Sequence, residues 1–357
     1  MNENELLDIY TDYLISSFGL TTATGLSELL DGAISHDRIQ RFLAASPKTG
    51  KDLWRVVKTY VRQIQAEDGI IIVDDSISEK PHTDENEIIC WHYDHTSGQN
   101  IKGINFVTAL YHANGLSLPV NYQLIEKTEN YIDKKTGKEK RRSPVSKNEV
   151  YRQLLQQVLH NQIPFRYVVN DVWFASAENM MFIVHDLKRH FVMPLKTNRK
   201  LALSLQDKLN GHYWRVDELL IETNTDLTIF LEGVDFPLKL VKQVFTNGDG
   251  SIGILYLVSS DLDLSYGEMT TIYQKRWNVE PYHKSLKQNA SLSKSPTKTV
   301  TTQGNHFFAA LCSYIKLEIL KVKIKTNHFA LKSKLYLQAL RTAFDALHAL
   351  QPIRFAA

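Results

Sequence analysis

The stretch Ile70-Ile71-Ile72-Val73-Asp74-Asp75-Ser76 decides the fold class. A short, continuous run of apolar residues that follows Gly69 predicts a buried strand. Asp74 and Asp75 come at the predicted end of that strand. Their carboxylates either cap a turn or are presented at the edge of a sheet to a metal ion or a substrate.

Further strands and helices follow this run along the chain. Three strands are predicted next, at 87–93, 103–112 and 116–125, and Ala113-Asn114-Gly115 is a strong turn signal between the last two. A charged, turn-rich loop is expected at 127–146. Two helices then alternate with two strands, at 148–160, 166–169, 176–189 and 191–195. This order predicts an α/β fold whose sheet contains both antiparallel and parallel neighbours.

The flanking segments have a different texture. Residues 1–66 predict four short helices, which suit a helix-turn-helix-like module for a DNA groove or any other small helical bundle. Residues 207–258 predict an antiparallel β insertion with a turn at Asn247-Gly248-Asp249-Gly250, and Trp214 lies on a separate run within it. Helices are predicted again at 306–323 and 329–350. We therefore expect an N-terminal domain at 1–66, a core at 67–206 and 259–357, and an insertion at 207–258.

The composition is that of an ordinary globular protein. The chain has 357 residues, of which 43% are apolar and 23% charged. It contains no apolar run of about 18 residues and begins with an acidic segment, so we expect neither a membrane span nor a secretory signal. Two distant cysteines, Cys90 and Cys312, give no disulfide framework and fit a cytoplasmic protein.

Charge is distributed unevenly along the chain. Residues 275–334 contain twelve lysines or arginines and only two acids, Glu280 and Glu318, which gives this segment +10 and the remainder −7. A second basic run lies at 134–142. Such asymmetry indicates a polyanionic partner, although a solvated lysine-rich face would look the same.

The basic segment opens with Tyr273-Gln-Lys-Arg276-Trp-Asn-Val-Glu280-Pro-Tyr-His-Lys284-Ser-Leu-Lys287. Read as one helix, the five numbered residues fall on a single polar stripe. Ile272, Val279, Tyr282 and Leu286 fall on a neighbouring apolar stripe that can be buried. Pro281 predicts either a kink at this point or a new helix that has Pro281 at its first position.

Three acids stand out in settings that suit metal binding. Asp74 and Asp171 each follow a predicted buried strand, and Glu280 lies among basic groups on a helix. Three carboxylates that approach one another need cations to neutralise them. Oxygen ligands suit Mg²⁺, with Mn²⁺ as a substitute, and Tyr273, Arg276 and the lysines would then hold phosphates beside the metal.

The pattern Tyr-x2-Arg-x3-Glu-x6-Lys at 273–287 resembles the Y-R-E-K signature of bacterial insertion-sequence transposases of the DDE class. The Asp-x-Trp-Phe-x-Ser setting of Asp171 and the stretch 191–200 are also similar to that family. The resemblance implies a ribonuclease-H-like mixed sheet flanked by helices, with an inserted antiparallel β subdomain. It implies Asp74, Asp171 and Glu280 as catalytic metal ligands. Asp75 is the alternative to Asp74. Adjacent strand residues face opposite sides of a sheet, so only one of the two should reach the metal ions.

The resemblance further implies a DNA transposase. Such an enzyme binds the terminal inverted repeats of its element, cleaves by two-metal hydrolysis and joins the 3′-OH ends to target DNA, as a homodimer in the DNA complex. DNA contacts are expected from Tyr273, Arg276, Lys284 and Lys287. Trp214 is expected either to stack on an extruded base or to be an ordinary sheet residue. The rivals are a structure-specific nuclease and a non-catalytic DNA-binding descendant, and we expect a prokaryotic, nucleoid-associated protein.

Overall fold

The apolar run that begins at Ile70 forms a central strand of a large mixed sheet in the computed structural model, which describes residues 2–94, 98–134 and 136–349. Four helices precede it, as the sequence predicts: α1 (Glu3–Ser16), α2 (Ala23–Leu29), α3 (His36–Leu43) and α4 (Gly50–Ile64). Polar side chains cap their first turns. Asn2 and Glu5, for example, form a capping box that satisfies two backbone N–H groups at the start of α1.

The sheet and its helices follow in the predicted order up to residue 195. The elements are β1 (Ile70–Glu79), β2 (Ile89–Asp94), β3 (Gln99–Ala113), β4 (Leu116–Leu124), β5 (Glu129–Ile132), β6 (Glu139–Arg142), α5 (Lys147–His160), β7 (Tyr167–Asn170), α6 (Ala177–His185) and β8 (His190–Leu195). Asn114 and Gly115 both have positive φ angles, which the tight β3–β4 turn requires.

The rest of the chain completes the sheet and adds helices. The elements are β9 (Lys200–Ala202), α7 (Leu205–Leu209), β10 (Trp214–Arg215), β11 (Asp226–Leu231), β12 (Leu238–Thr246), β13 (Ile252–Ser259), α8 (Tyr266–Gln274), α9 (Val279–Gln288), α10 (Val300–Ile324) and α11 (His328–Ala349). Strand order is β10-β9-β11-β12-β13-β8-β7-β1-β3-β2, and β4 also pairs with β3. Among the described helices, none has the length and apolar character that crossing a lipid bilayer requires.

β1 is longer than predicted. The sequence indicated a strand that ends before Asp74, whereas β1 continues to Glu79. The reason is that its two neighbours end at different points. The antiparallel partner β3 continues until Gly103 lies opposite Glu79, but the parallel partner β7 ends when Asn170 lies opposite Val73. From Asp74 onward, β1 therefore lacks its parallel neighbour β7, and this side of the strand becomes an edge of the sheet.

The predicted loop at 127–146 is exposed but contains a hairpin. β5 and β6 pair antiparallel, with Glu129 opposite Arg142, and these two side chains form an ion pair of 3.0 Å. The strands carry no alternating apolar face, so hydrophobic periodicity could not reveal them. Lys135 of the basic run lies outside the described residues, as does Leu350 of the last predicted helix.

The predicted insertion is antiparallel, but its strands are part of the central sheet. β11, β12 and β13 form a meander, and β13 pairs with β8 through residues 256–259. Sequence periodicity shows that a strand exists but does not show which neighbour it pairs with. The result is a mixed α/β architecture with one large sheet flanked by helices, which is consistent with a ribonuclease-H-like fold.

The chain forms two compact units. The described residues of one are 2–47, 283–297 and 301–349, and the other contains 48–282 and 298–300. These units do not follow the predicted limits, since α4 packs on β4 in the sheet-containing unit. In the helical unit, the Tyr10 hydroxyl lies 3.0 Å from Nδ1 of the buried His306, which joins α1 to α10. The DNA-binding role of residues 1–66 stays a prediction.

One glycine lies tightly between β1 and its surroundings, and it provides a test of the fold. A Cβ on Gly69 would lie 2.5 Å from the Tyr111 ring and 2.9 Å from the Pro164 carbonyl oxygen. Tyr111 cannot move aside, because its ring is fully buried and its hydroxyl accepts a hydrogen bond from the Ala66 N–H. We expect Gly69→Ala to lower the free energy of unfolding by roughly 1–3 kcal/mol.

Urea denaturation measures this change, and Gly267→Ala is its matched control. Apart from its chain neighbours and the backbone of its own helix α8, no heavy atom of the described residues lies within 4 Å of a Cβ built at Gly267. The control should not lower stability. Equal stability of the Gly69 variant and the wild type would contradict the packing described for the start of β1.

Candidate active site

Asp74 and Asp171 lie side by side where β7 ends. β1 and β7 are parallel and pair Val73 with Asn170, so the next residues on the two strands are the two aspartates. Parallel neighbours are about 4.8 Å apart and residues in register point to the same face. The structure therefore brings together two carboxylates that are 97 residues apart in sequence.

The turn that carries Asp171 is held in place by buried side chains. Asn170 is fully buried, accepts a hydrogen bond from the Tyr151 hydroxyl of α5 at 2.8 Å, and donates one to the Asp171 carbonyl at 2.7 Å. The Trp173 N–H donates to the Asp171 carboxylate at 2.9 Å. The Tyr151 ring stacks on Phe174 at 5.1 Å. These contacts fix the direction of the Asp171 side chain.

Both carboxyl groups are hard to ionise in the metal-free protein. Burial raises the pKa of Asp74 to about 8, and the negative charges of Asp171 and Asp75 add to that effect. Burial also raises the pKa of Asp171, although the N–H of Trp173 partly opposes it. A carboxyl pair of this kind is relieved when a cation arrives.

Arg276 supplies one positive charge to the pair. It lies in a 3₁₀ segment, Lys275–Asn278, which packs against β1 and β7 and connects α8 to α9. Its guanidinium lowers the pKa of both Asp74 and Asp171. Its Nε is buried and has no hydrogen-bond partner among the described residues, so a donor remains available for an oxygen that arrives with a ligand.

Tyr273 lies beside Arg276. Its ring centroid is 5.8 Å from the guanidinium carbon, and its side chain is 5% exposed. Burial raises the pKa of the Tyr273 hydroxyl to about 12, and the charges of Asp171 and Asp74 also raise it while Arg276 lowers it. The hydroxyl is therefore a proton donor at every physiological pH.

Glu280 forms an ion pair with Arg276. The Glu280 carboxylate lies 3.6 Å from the Arg276 Nη2 atom, and its side chain is 57% exposed. Within the described residues, no three acidic, histidine or cysteine side chains are close enough to hold one ion together. The structure brings Asp74 and Asp171 together but does not bring Glu280 to them, so its metal-binding role stays a prediction.

The helix that carries this signature is interrupted. Instead of one continuous helix, α8 ends at Gln274, the 3₁₀ segment follows, and α9 begins at Val279, so Pro281 is its third residue. The 3₁₀ segment advances each residue by about 120° and changes the phase. Consequently Tyr273 is buried while Glu280 is exposed, and the five polar residues do not share one stripe. The apolar prediction is confirmed for Val279, Tyr282 and Leu286, which are fully buried, whereas Ile272 is partly exposed.

Asp75 points to the other face of β1. It accepts hydrogen bonds from Lys147 Nζ at 2.6 Å and from Asn105 Nδ2 at 3.0 Å. These partners satisfy Asp75 structurally, which favours Asp74 as the first acid.

The remaining predicted DNA-binding residues are Lys284, Lys287 and Trp214. Lys284 and Lys287 lie further along α9 in the helical unit, where the Lys284 ammonium is 5.1 Å from the Phe329 ring centroid. Trp214 lies on β10, and six strands separate it from β1 in the order of the sheet. It is 37% exposed rather than buried. The DNA-binding roles of these three residues stay predictions.

The site also contains residues that the sequence did not single out. Trp277 is 51% exposed and its ring centroid lies 4.6 Å from the Arg276 guanidinium carbon. Lys196 stacks over the exposed Trp173 at 4.8 Å. Asn170 and Tyr151 could have been found only by knowing which helix covers β7. Trp277 and Trp173 each adjoin a predicted site residue, and that proximity was the available signal.

The residues at β1 and β7 fit a divalent cation. Their donors are hard oxygen atoms of two adjacent carboxylates, which Mg²⁺ and Mn²⁺ prefer. Burial is the largest cause of their raised pKa values, and the Arg276 guanidinium offsets it only in part, so a cation that binds between them would favour their ionised forms. Asp74 and Asp171 are thus the pair that would hold the ion.

The charge pattern predicts a pH-dependent stability of the metal-free protein. Because the pKa of Asp74 is raised on folding, the folded state binds more protons than the unfolded state between its ordinary pKa and about 8. Stability from this group is greatest in acid and falls as the pH rises through that window. Asp74→Asn removes this loss. The free energy of unfolding of the variant, relative to that of wild type, should therefore increase by up to about 1.4 kcal/mol for each unit that the pH rises within the window.

Denaturation in a chelating buffer at about pH 5 and about pH 8 measures this advantage. If Asp74→Asn were more stable than wild type by the same amount at both pH values, the raised pKa of Asp74 would be contradicted. Asp171→Asn serves as the matched variant, since it removes the other charge and should relieve Asp74 in the same direction.

Comparison with known families identifies the family of this chain. Residues 2–214 match the family model described as DDE superfamily endonuclease. The matched range contains Asp74 and Asp171 and ends before Glu280. A search of curated proteins gave no match. The family match covers more than half of the 357 residues, and the chain therefore belongs to the DDE superfamily of endonucleases.

Proposed function

We propose that this protein is a DNA transposase of the Y-R-E-K type, which cleaves the ends of its insertion sequence and joins them to target DNA. Its membership of a DDE endonuclease family supports a DNA substrate and hydrolysis of a phosphodiester. The signature residues Tyr273, Arg276 and Glu280 support the narrower assignment. Tyr273 and Arg276 act electrostatically on the carboxyl pair, and Glu280 lies 3.6 Å from the Arg276 Nη2 atom.

The observation that carries the proposal is the pairing of Asp74 with Asp171 beside one buried arginine. Two ionisable carboxyl groups with raised pKa values cost stability unless a cation compensates them. A structural role would be served as well by a neutral pair. The arrangement is therefore expected of a site that binds a metal ion and a phosphate.

Asp74, Asp171 and Glu280 would hold two Mg²⁺ ions, for which Mn²⁺ can substitute. When bound, such ions activate the attacking water or 3′-hydroxyl and stabilise the leaving oxygen. The chain's own groups orient the strand. Arg276 offers its buried Nε–H to a phosphate oxygen, and the Tyr273 hydroxyl remains protonated to donate a second hydrogen bond.

Glu280 must leave Arg276 to join the aspartates. The pair is 3.6 Å apart and the carboxylate is mostly exposed, and ion pairs of that kind contribute only about 0–1 kcal/mol. The exchange is therefore inexpensive. It would also free the Arg276 guanidinium to bind a phosphate oxygen.

The proposal includes the DNA partner and the assembly. Residues 275–334 carry +10, which suits duplex DNA, and Lys284 and Lys287 belong to that segment. The N-terminal helices would recognise the terminal inverted repeats. A homodimer would hold two ends together, and the enzyme would act in the cytoplasm on nucleoid DNA.

Glu280→Gln tests the assigned third ligand. The amide keeps the size of the side chain but binds a divalent ion poorly, so Mg²⁺-dependent cleavage of DNA that carries the element's ends should fall by roughly a hundredfold or more. Binding of the same DNA in chelator should be unchanged. Asp75→Asn is the matched control, because Asp75 is bound to Lys147 and should retain cleavage. Undiminished cutting by Glu280→Gln would overturn the metal-ligand role.

A joining assay separates the transposase from the structure-specific nuclease. Pre-cleaved ends with free 3′-OH groups, incubated with wild-type protein, Mg²⁺ and a supercoiled plasmid, should become covalently attached to the plasmid. Gel electrophoresis of the labelled ends measures the product. Efficient cleavage with no joined product would favour the nuclease.

A further inference from the structure

A pocket that contains neither aspartate lies in the sheet-containing unit. It has a volume of about 790 Å³ and is lined by β2 and the hairpin β5–β6. Two aromatic side chains line it, Trp91 from β2 and Tyr131 from β5, and both present surface to solvent, with exposed fractions of 52% and 36%. The size is that of a site for a small planar ligand rather than a gap in packing.

The Trp91 side chain is held in place. Its Nε1–H donates a hydrogen bond of 2.8 Å to one Glu85 carboxylate oxygen, and the other oxygen of Glu85 pairs with Arg141 Nη2 at 2.8 Å. Arg141 also donates to the Asn86 carbonyl at 3.0 Å. No aromatic ring or cation of the described residues stacks on the indole. An exposed aromatic that is fixed at its polar end and open on its faces is preorganised for stacking.

Positive charge surrounds the two rings. The segment 127–142 contains seven lysines or arginines and three acids, which gives +4. Lys127 lines the pocket and donates to the Trp91 carbonyl at 2.6 Å. The pKa of Lys127 is lowered by burial, and the positive charges of Lys147 and Arg141 lower it further. The pocket wall itself carries three basic side chains, Lys127, Lys140 and Arg141, against two acids, Glu85 and Glu139, so its net charge of +1 favours an anion.

Lys147 connects this pocket to the catalytic strand. Its ammonium pairs with Asp75 at 2.6 Å, and Asp75 follows Asp74 on β1. Both Lys127 and Lys147 act electrostatically on His92, the buried neighbour of Trp91. Basic groups thus extend from the pocket to the strand that carries the first acid.

We propose that this pocket binds an unpaired nucleotide of a DNA strand, with the base stacked on Trp91 and Tyr131 and the phosphates beside Lys127 and Arg141. The proposal rests on the DNA substrate of the proposed function and adds a site for it outside the carboxyl pair. Stacking requires a base whose face is free, which a duplex does not offer within its length. The Arg142 guanidinium carbon already lies 5.7 Å from the Tyr131 ring centroid, so a base would add to that stack. An acidic peptide would use the charge but leave the Trp91 indole without a planar partner.

Fluorescence anisotropy of the full-length protein in chelator tests this site without cleavage. The probes are a labelled oligothymidine of about twelve nucleotides and the same strand paired with oligoadenosine, at one fixed salt concentration. Trp91→Ala and Tyr131→Ala should each weaken single-strand binding roughly tenfold and leave duplex binding unchanged. Trp91→Phe and Tyr131→Phe keep a stacking face and should retain most of the affinity.

Tyr93→Ala is the matched control, because Tyr93 is also exposed on β2 but does not line the pocket. It should bind both probes as wild type does. Single-strand affinity that is unchanged in both alanine variants would overturn the proposal, as would equal losses for the two probes. Wild-type cleavage of end DNA with Mg²⁺, measured separately, reports on the proposed function, so failure of one result does not imply failure of the other.

Discussion

The parallel pairing of β1 with β7 is the constraint on which the site depends. It sets two carboxylates side by side on one face at the point where β7 ends and β1 continues. Burial then raises the pKa of both carboxyl groups, the charges of Asp171 and Asp75 raise that of Asp74 further, and the charge of Asp75 raises that of Asp171. The guanidinium of Arg276 compensates only in part. The cost is offset by the surrounding packing: Tyr151 and Asn170 hold the turn of Asp171, and the 3₁₀ segment holds Arg276 against both strands. The fold thus maintains a charge arrangement that isolated strands would avoid.

The two faces of β1 place its two adjacent aspartates in different environments. Asp74 faces β7's aspartate and Arg276, whereas Asp75 faces Asn105 and Lys147. This alternation follows from the strand period of two residues, and it separates a strained carboxyl from a satisfied one. Lys147 then leads away from β1 toward the aromatic pocket at Trp91. The proposed cleavage site therefore lies on one face of β1. On the other face, the pair of Asp75 and Lys147 leads toward the proposed nucleotide site.

Much of this could be predicted from sequence. The apolar run at Ile70, the setting of Asp171 and the burial of Val279 and Leu286 follow from local patterns that depend on few neighbours. The length of β1, the pairing of β13 with β8 and the charged hairpin at 129–142 did not follow, because each depends on which strand becomes a neighbour. The position of the break between α8 and α9 was not predicted. Pro281 indicates an interruption, but α8 already ends at Gln274. Hydrophobic periodicity cannot predict how far Glu280 lies from the aspartates, because that distance depends on the tertiary packing of α9.

The central claim is that Asp74 and Asp171 bind a divalent ion together. Anomalous diffraction from crystals of the full-length protein soaked in Mn²⁺ tests it most directly, because manganese scatters anomalously and substitutes for magnesium. The account predicts manganese density in contact with carboxylate oxygens of both Asp74 and Asp171, and loss of that density in crystals of Asp74→Asn. Manganese bound through Asp75, or held elsewhere while the two aspartates remain without it, would contradict the account.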